Sequence, residues 1–159
     1  MDEKKFMMGI FIDLSKAFDT LNHNILLQKL SNYGIRGLAN DWFKNYLTNR
    51  EQFVKYNNVS STKSTIVTGV PQGSILGPLL FLLYINDISN SSTLLKFILY
   101  ADDTNIFYCC DNVKQLCETV NEELRGVVQW FKSNRLSVNI KKTNFVMFGS
   151  QSKINRLKN

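Results

Sequence analysis

Apolar residues recur along this chain with two different periods, and the changes of period predict its elements. Runs rich in Ile, Val, Phe and Tyr predict strands at residues 7–14, 52–56, 64–67, 97–99, 106–108, 136–140 and 144–148. Helical spacing predicts helices at residues 24–33, 38–47 and 113–132, and an apolar helix that follows PQGSILGP and ends at about Ile88. In the second of these helices the expected apolar face consists of Trp42, Phe43, Tyr46 and Leu47.

The order of these elements predicts the fold. When residues 24–70 are set aside as an insertion, the chain reads strand, helix, strand, strand, helix, strand. This order is typical of an α+β fold with a split βαβ (ferredoxin-like) antiparallel sheet and helices on one face. In such a sheet the first strand is a neighbour of the hairpin formed by residues 97–108.

The stretch FILYADDTNIF (97–107) places Asp102 and Asp103 at the bend of this hairpin. Asp tolerates unusual backbone angles and accepts hydrogen bonds from nearby amides, so ordinary turn chemistry is one explanation for the pair. Asp13 ends the first strand, and the predicted sheet would bring it within a few ångströms of Asp102. A turn residue at a strand end is the structural alternative for Asp13.

Three carboxylates that converge at strand ends repel one another unless a cation neutralises them. Their hard oxygen ligands suit Mg²⁺ or Mn²⁺. Two such ions about 3.5–4 Å apart can activate an attacking hydroxyl and stabilise a departing phosphate oxygen. The pattern therefore indicates nucleotidyl transfer.

The composition adds modest constraints. A formal net charge of +6 over 159 residues favours a polyanionic partner. The three cysteines lack the spacing of a zinc site, which fits a reduced, intracellular setting in the nucleus or cytoplasm. We expect no secretory signal, because charged residues follow Met1, and no membrane span, because the longest apolar segment, from Ile75 to Ile85, is too short.

Four segments, taken together, resemble the polymerase motifs of reverse transcriptases. In chain order they are FIDLSKAFDTLNH (11–23), GVPQGSILGPLLF (69–81), YADD (100–103) and LSVNIKKTNFVMF (136–148). YADD alone is a weak match, whereas four motifs in this order are highly specific. They are most similar to the motifs of non-LTR (LINE-type) retrotransposons, over about residues 6–148. The resemblance implies a right-hand polymerase palm and RNA-directed DNA synthesis.

The resemblance also implies roles for the acidic residues. Asp13 and Asp102 would be the principal ligands of two Mg²⁺ ions, with Mn²⁺ as a substitute, and Asp103 would be the third acidic residue of the site. The backbone carbonyl of Leu14 would be a further ligand of the metal that carries the triphosphate.

A lysine completes the site that the resemblance implies. Lys142 matches the family residue that protonates pyrophosphate as it leaves, and a cation there helps electrostatically even without proton transfer. Lys141 is the adjacent candidate, and an ordinary solvated turn lysine is the structural alternative.

Three further residues would contact the incoming nucleotide. Phe18 matches the bulky aromatic that blocks a ribose 2′-hydroxyl and so selects deoxynucleotides; core packing is its structural alternative. Gln72 matches the residue that lies near the nucleotide sugar, and Gly73 would let the backbone approach the substrate. PQGS could instead be only a helix start, with Ser74 as a cap. We expect His23 to cap or pack the following helix.

The resemblance predicts a single partial reverse transcriptase domain over residues 1–159. Its palm would comprise residues 1–23 and 69–150, with a fingers-side insertion at 24–68 and with the upstream fingers and the thumb missing from the chain. The expected partners are an RNA template, a DNA primer, deoxynucleoside triphosphates and the remainder of a retrotransposon polyprotein.

Two other functions are alternatives to reverse transcription. A catalytically silent retroelement fragment would keep the motifs while it only binds nucleic acid or a partner. An RNA-dependent RNA polymerase would share the palm, but such enzymes usually carry GDD instead of YADD and a polar residue in place of Phe18.

Overall fold

The computed structural model describes residues 5–149, and the chain divides into two compact units, residues 1–15 with 86–159 and residues 16–85. The strands of the described residues are, in chain order, β1 (Phe6–Ile12), β2 (Glu51–Gln52), β3 (Lys55–Tyr56), β4 (Val59–Ser60), β5 (Ser64–Thr65), β6 (Lys96–Tyr100), β7 (Asp103–Cys110) and β8 (Asn144–Phe148). The α-helices are α1 (His23–Asn32), α2 (Leu38–Leu47), α3 (Leu76–Ile85) and α4 (Val113–Ser133), with 3₁₀ turns at Ala17–Asp19 and Asn86–Ser91.

The first unit is built on a four-stranded antiparallel sheet with the order β6, β7, β1, β8. β1 is therefore a central strand that pairs along its whole length with β7, from Phe6 opposite Cys110 to Ile12 opposite Thr104. The predicted α+β fold with a split βαβ sheet is confirmed, and so is the predicted pairing of the first strand with the DD hairpin. The predicted division into palm and fingers stays a prediction, because compactness alone does not test it.

Helix α4 packs across β1 and β7 and buries Leu116, Val120, Val127 and Phe131. The Asn112 side chain caps its first turn by accepting hydrogen bonds from the amides of Lys114 and Gln115. This helix was predicted to end at Lys132 and ends one residue later. The alternate residues Met8, Ile10 and Ile12 of β1 are buried as well, as expected for one covered face of a sheet.

The predicted strand at residues 136–140 is wrong. Only Val138 forms a bridge, to Leu14, and the chain then turns at residues 140–142 before β8 begins. The reason is local: the carbonyl of Asn139 accepts hydrogen bonds from the amides of both Lys142 and Thr143, which closes a turn where a strand would need extended backbone.

The second unit contains three helices, of which α1 contacts both α2 and α3. α1 starts at an Asn22 cap, whose side chain accepts a hydrogen bond from the Ile25 amide. Its buried Lys29 donates to the carbonyl of Tyr84 in α3 at 2.7 Å. α3 is apolar on all sides and buries Leu80, Phe81, Tyr84 and Ile85. The chain leaves the α-helix at Ile85, three residues before the predicted end, and continues as the 3₁₀ turn.

Two further predictions for this unit need correction. The insertion forms an antiparallel hairpin, but its strands are not the continuous 52–56 and 64–67 predicted: β2 pairs with β5, and inside that pair β3 pairs with β4 around a turn at Asn57 and Asn58. Both turn residues have positive φ, as a two-residue type I′ hairpin loop requires. In α2 only Leu47 of the expected apolar face is buried, and Trp42 stays 53% exposed.

None of the helices between residues 5 and 149 is both long enough and apolar enough to cross a lipid bilayer.

We predict that Ile106→Ala will destabilise the sheet strongly. Ile106 is fully buried at the centre of β7, so its truncation should lower the free energy of unfolding by about 2–5 kcal/mol. Ile98 of β6 is 58% exposed and is a matched control, since Ile98→Ala should cost less than about 0.5 kcal/mol. Urea denaturation of the purified variants measures both free energies of unfolding. Equal losses of stability in Ile106→Ala and Ile98→Ala would contradict the assignment of Ile106 to the buried face of the sheet.

Candidate active site

The hairpin of β6 and β7 fixes the positions of the adjacent carboxylates. Tyr100 pairs with Asp103, so only Ala101 and Asp102 remain as a two-residue turn. Ala101 has a φ of 51°, a backbone region in which a side chain is sterically disfavoured. Asp102 therefore sits in the turn itself, while Asp103 is the first residue of β7.

The register of the sheet brings Asp13 to the same end of the hairpin. Ile12, the last residue of β1, lies opposite Thr104, the residue after Asp103, so Asp13 follows β1 at the end where the DD hairpin turns. The structure thus brings the three predicted acidic residues to one end of the sheet.

This arrangement is nevertheless not a ready-made metal centre. No group of three or more His, Cys, Asp and Glu side chains among residues 5–149 is arranged to hold a metal ion. Mg²⁺ in nucleotide-binding sites typically uses only one or two carboxylates together with substrate phosphates. The residues present therefore fit such an ion in the company of a nucleotide.

The turn that replaces the predicted strand holds Asp13 in place. The Asp13 amide donates to Oγ1 of Thr143 at 3.3 Å, and the Asp13 carbonyl accepts from the amide of Asn139 at 2.8 Å. The same turn places Nζ of Lys142 4.0 Å from Oδ2 of Asp13. Because the Lys142 side chain is 71% exposed, this ion pair adds little stability, and the ammonium group stays accessible.

The orientation of the Leu14 carbonyl follows from the hydrogen bonds on either side of it. Asn139 donates to Asp13, and Ser15 donates to Ser137, so Leu14 and Val138 form a pair without mutual hydrogen bonds. In an extended strand successive carbonyls point to opposite edges, so the Leu14 carbonyl points away from Val138 and toward the edge on which β7 lies. An oxygen in this position fits its predicted role as a ligand.

In the second unit, Phe18 follows a buried Ala17 in the first 3₁₀ turn. Its ring is partly exposed and packs against Phe81, with the ring centroids 4.7 Å apart. The Phe18 carbonyl accepts a hydrogen bond from the Val70 amide at 2.9 Å. Phe18 is thus half-buried: its ring packs on Phe81, and part of its surface remains exposed.

The PQG segment carries two predicted nucleotide contacts. Gln72 is exposed, and its Nε2 donates to Oδ1 of Asp19 at 2.7 Å. Gly73 is exposed with a φ of 79°, and a Cβ there would meet no atom within 4 Å. Backbone conformation, rather than crowding, is therefore what favours glycine at position 73.

Ser74 has the capping role that was raised as an alternative for PQGS. Its Oγ donates to the Pro71 carbonyl at 2.7 Å and accepts from the Gly77 amide at 3.0 Å. The serine therefore satisfies an amide in the first turn of α3. A cap at Ser74 and a substrate contact at Gln72 involve different atoms, so one does not exclude the other.

His23 opens α1 and packs as expected. It is buried, and its Nε2 lies 2.7 Å from the Gly69 carbonyl. The contact ties the start of α1 to the segment that precedes PQG. It gives His23 a structural explanation.

Sequence reasoning missed the partner of Gln72. Asp19 belongs to the first motif and Gln72 to the second; they lie 53 positions apart in the chain, and no periodic signal pairs them. Asp19 also contacts Gly69, whose φ is 85° and where a Cβ would lie 2.7 Å from the Asp19 carbonyl oxygen. Only the presence of a glycine and an acid inside recognised motifs could have drawn attention to these positions.

Comparison with protein families gives one match over nearly the whole chain. The family model described as reverse transcriptase (RNA-dependent DNA polymerase) matches residues 1–157. Among curated proteins, the probable RNA-directed DNA polymerase from transposon BS of Drosophila melanogaster is 31% identical over 89% of this chain. The probable RNA-directed DNA polymerase from transposon X-element of the same species is 30% identical over 92% of this chain. The chain spans 16% of the length of each of these relatives.

Solved structures share the fold at much lower identity. Apo telomerase from Candida tropicalis, truncated from the C-terminal domain, has a TM-score of 0.69 and 15% identity over 92% of this chain and 32% of its own. Telomerase from the same species in complex with a fragment of telomeric RNA has a TM-score of 0.68 and 13% identity, over 92% of this chain and 26% of its own.

We predict that Ser74→Ala will weaken the start of α3. Loss of the hydroxyl leaves the Gly77 amide without its cap and should lower the free energy of unfolding by about 0.5–2 kcal/mol. Ser60→Ala in β4, where the side chain is exposed, is the control and should have little effect. Urea denaturation provides the measurement, and an unchanged stability for Ser74→Ala would contradict the cap.

Proposed function

Because the chain belongs to the reverse transcriptase (RNA-dependent DNA polymerase) family, we propose that it carries the palm-centred catalytic core of an RNA-directed DNA polymerase. The proposed reaction is attack of a primer 3′-hydroxyl on an incoming deoxynucleoside triphosphate, with release of pyrophosphate. The observation that supports the proposal is the register of β1 with β7, in which Asp13 follows the pair of Ile12 with Thr104 at the end of the sheet where the Asp102–Asp103 hairpin turns.

The carboxylates are proposed as the ligands of the catalytic cations. Asp13 and Asp102 would be the principal ligands of two Mg²⁺ ions, Asp103 the third acidic residue, and the Leu14 carbonyl an additional ligand. Bound Mg²⁺, or Mn²⁺ in its place, would activate the primer hydroxyl and stabilise the charge on the departing oxygen. The support is the accessibility of these groups: the Asp13 side chain is 34% exposed, and Asp103 is exposed at the end of β7.

Lys142 is proposed to act on the leaving pyrophosphate. Its ammonium group lies 4.0 Å from the Asp13 carboxylate, so it is an exposed cation next to the proposed metal ligands. A positive charge there would stabilise negative charge that develops on a phosphate oxygen in the transition state.

The nucleotide contacts are proposed for residues of the second unit. Phe18 would exclude a ribose 2′-hydroxyl, since its ring is backed by Phe81 and cannot yield easily. Gln72 would contact the nucleotide near its sugar, and its amide is oriented by Asp19. Gly73 would allow close approach of the backbone, for which its exposure and positive φ are suited.

The proposed partners are an RNA template, a DNA primer, deoxynucleoside triphosphates and the remainder of a retrotransposon polyprotein. Relatives of this chain are RNA-directed DNA polymerases of transposons, and one structural neighbour is a telomerase with an RNA fragment bound. The formal net charge of +6 supports a polyanionic partner.

We predict that Asp102→Ala will abolish metal-dependent primer extension. Loss of a proposed metal ligand should lower the rate by at least about 100-fold. The assay is Mg²⁺- or Mn²⁺-dependent extension of a DNA primer on an RNA template by the purified chain, with chelation of the metal by EDTA as a second test. Asp111→Ala removes an exposed acid just after β7 and is the matched control, which should keep full activity.

The outcomes separate the proposal from its alternative. Equal extension by Asp102→Ala and the unchanged chain would contradict the assignment of Asp102. Folded protein that binds nucleic acid but extends no primer under any metal would instead indicate a catalytically silent chain.

We predict that Phe18→Ala will relax sugar selection. Removal of the ring opens space for a 2′-hydroxyl, so the preference for deoxynucleotides over ribonucleotides should fall by about tenfold or more. Competing incorporation of the two nucleotide types measures the preference, with Phe53→Ala, an exposed aromatic of the second unit, as control. If Phe18→Ala gains no use of ribonucleotides, Phe18 is a packing residue only.

A further inference from the structure

A cavity of about 300 Å³ opens in the second unit beside the PQG segment. Its polar lining includes Asp19, Arg50 and Gln72, and Ile66 and Val70 contribute apolar surface. Its volume lies at the lower end of the range for small-molecule sites. Arg50 belongs to none of the four motifs, so no role was predicted for it.

Arg50 is held in a defined orientation at the wall of this cavity. Its guanidinium lies 5.5 Å from the centroid of the Tyr46 ring, and that ring stacks on Trp42 with centroids 5.6 Å apart and planes 9° apart. The three side chains recur at four-residue intervals from α2 onward. The carbonyl of Arg50 also accepts a hydrogen bond from Ile66 at 2.8 Å, which anchors its backbone.

The guanidinium keeps its capacity to bind an anion. Between residues 5 and 149, Arg50 forms no ion pair with a carboxylate. Arg presents five N–H donors in a planar fork that matches phosphate geometry. A half-buried Arg that is stacked on one face and has no acidic partner is therefore poised to bind a phosphate at its edge.

Two other polar side chains of the lining, Asp19 and Gln72, are hydrogen-bonded to each other. Asp19 accepts the hydrogen bond from Gln72, and Gly69 packs against the Asp19 backbone in a conformation that favours glycine. Asp19 and Arg50 carry opposite charges, so their contributions to the net charge of the lining cancel. A phosphate would therefore be bound by directed hydrogen bonds from Arg50, because the lining as a whole carries no net positive charge. These hydrogen bonds would have to outweigh the repulsion between the phosphate and Asp19.

We propose that Arg50 is a phosphate-binding residue and that the cavity beside Gln72 takes a phosphate group of the substrate. The inference rests on the proposed function for the identity of the substrate, since the phosphate could belong to the nucleoside triphosphate or to the backbone of the nucleic acid. Both sources offer the same tetrahedral anion to the guanidinium.

The test uses inorganic tripolyphosphate and a 12-nucleotide oligouridylate as probes, with binding to the full chain measured by calorimetry and fluorescence anisotropy. Arg50→Met keeps the apolar stem on Tyr46 and removes the charge. It should weaken binding of at least one probe by about tenfold or more, as expected for loss of charge-assisted hydrogen bonds. Arg50→Lys should restore only part of the affinity, because a lysine lacks the planar fork.

A second variant should change the affinity in the opposite direction. Asp19→Asn keeps an oxygen that can accept from Gln72 but removes the negative charge, so it should tighten phosphate binding severalfold. Lys55→Met, on the exposed strand β3, removes one positive charge away from the cavity lining. This control should change either affinity by less than about twofold.

The pattern of effects identifies the source of the phosphate. A loss confined to tripolyphosphate assigns the site to the nucleotide, and a loss confined to the oligonucleotide assigns it to the nucleic-acid backbone. Either result supports the inference. Binding of both probes by folded Arg50→Met as tightly as by Lys55→Met would overturn it.

Primer extension separates this inference from the proposed function. If the chain extends primers and Arg50→Met changes neither the KM for deoxynucleotides nor the affinity for template, the inference fails while the polymerase assignment stands. If the chain extends no primer but Arg50→Met loses probe binding, the phosphate site stands without the polymerase.

Discussion

The antiparallel pairing of β1 on both of its edges is the constraint on which the candidate site depends. β7 lies on one edge and β8 on the other, and the register on each edge is continuous. Gly9 lies at the centre of β1, where a Cβ would be 2.9 Å from Cε1 of Phe107 and 3.2 Å from Cε2 of Phe148. Glycine therefore leaves room for both aromatic rings beside the strand, and the same register brings Asp13 to the end of the DD hairpin.

Irregular backbone, rather than regular strands, positions the chemical groups. The turn at residues 139–143 holds Asp13 through Thr143 and Asn139 and brings Lys142 beside the Asp13 carboxylate. Ala101 adopts positive φ in the two-residue turn that carries Asp102. Sparsely populated backbone conformations of this kind are often found at functional sites, where the surrounding structure enforces them. Here the paired strands of the sheet lead directly into both turns and so constrain the backbone of these turns.

In the second unit, too, contacts outside the regular strands position the polar side chains. Hydrogen bonds from Gly69 to Leu21 and from Val70 to Phe18 align the PQG segment with the first 3₁₀ turn. The Asp19–Gln72 hydrogen bond then orients the exposed Gln72 side chain. Arg50 is oriented by aromatic stacking instead of by an acid, so its donors remain available. The Asp13–Thr143 and Asp19–Gln72 hydrogen bonds thus join segments that are distant in sequence, whereas Arg50 is held by a near neighbour in the chain.

Local pattern determined most of the elements of this protein, because periodicity and capping signals are properties of neighbouring residues. It predicted the boundaries of α2, the DD hairpin, the pairing of β1 with that hairpin and, through four ordered motifs, the family. It failed at residues 136–140, where apolar alternation indicated a strand but hydrogen bonds to Asn139 close a turn. The sequence pattern did not predict the contacts of Asp13 with Thr143, of Gln72 with Asp19 and of Arg50 with Tyr46. The Asp13–Thr143 and Gln72–Asp19 hydrogen bonds join residues 130 and 53 positions apart, so only the tertiary structure decided them. The Arg50–Tyr46 contact joins residues four positions apart, but it depends on how the backbone turns after α2 ends at Leu47.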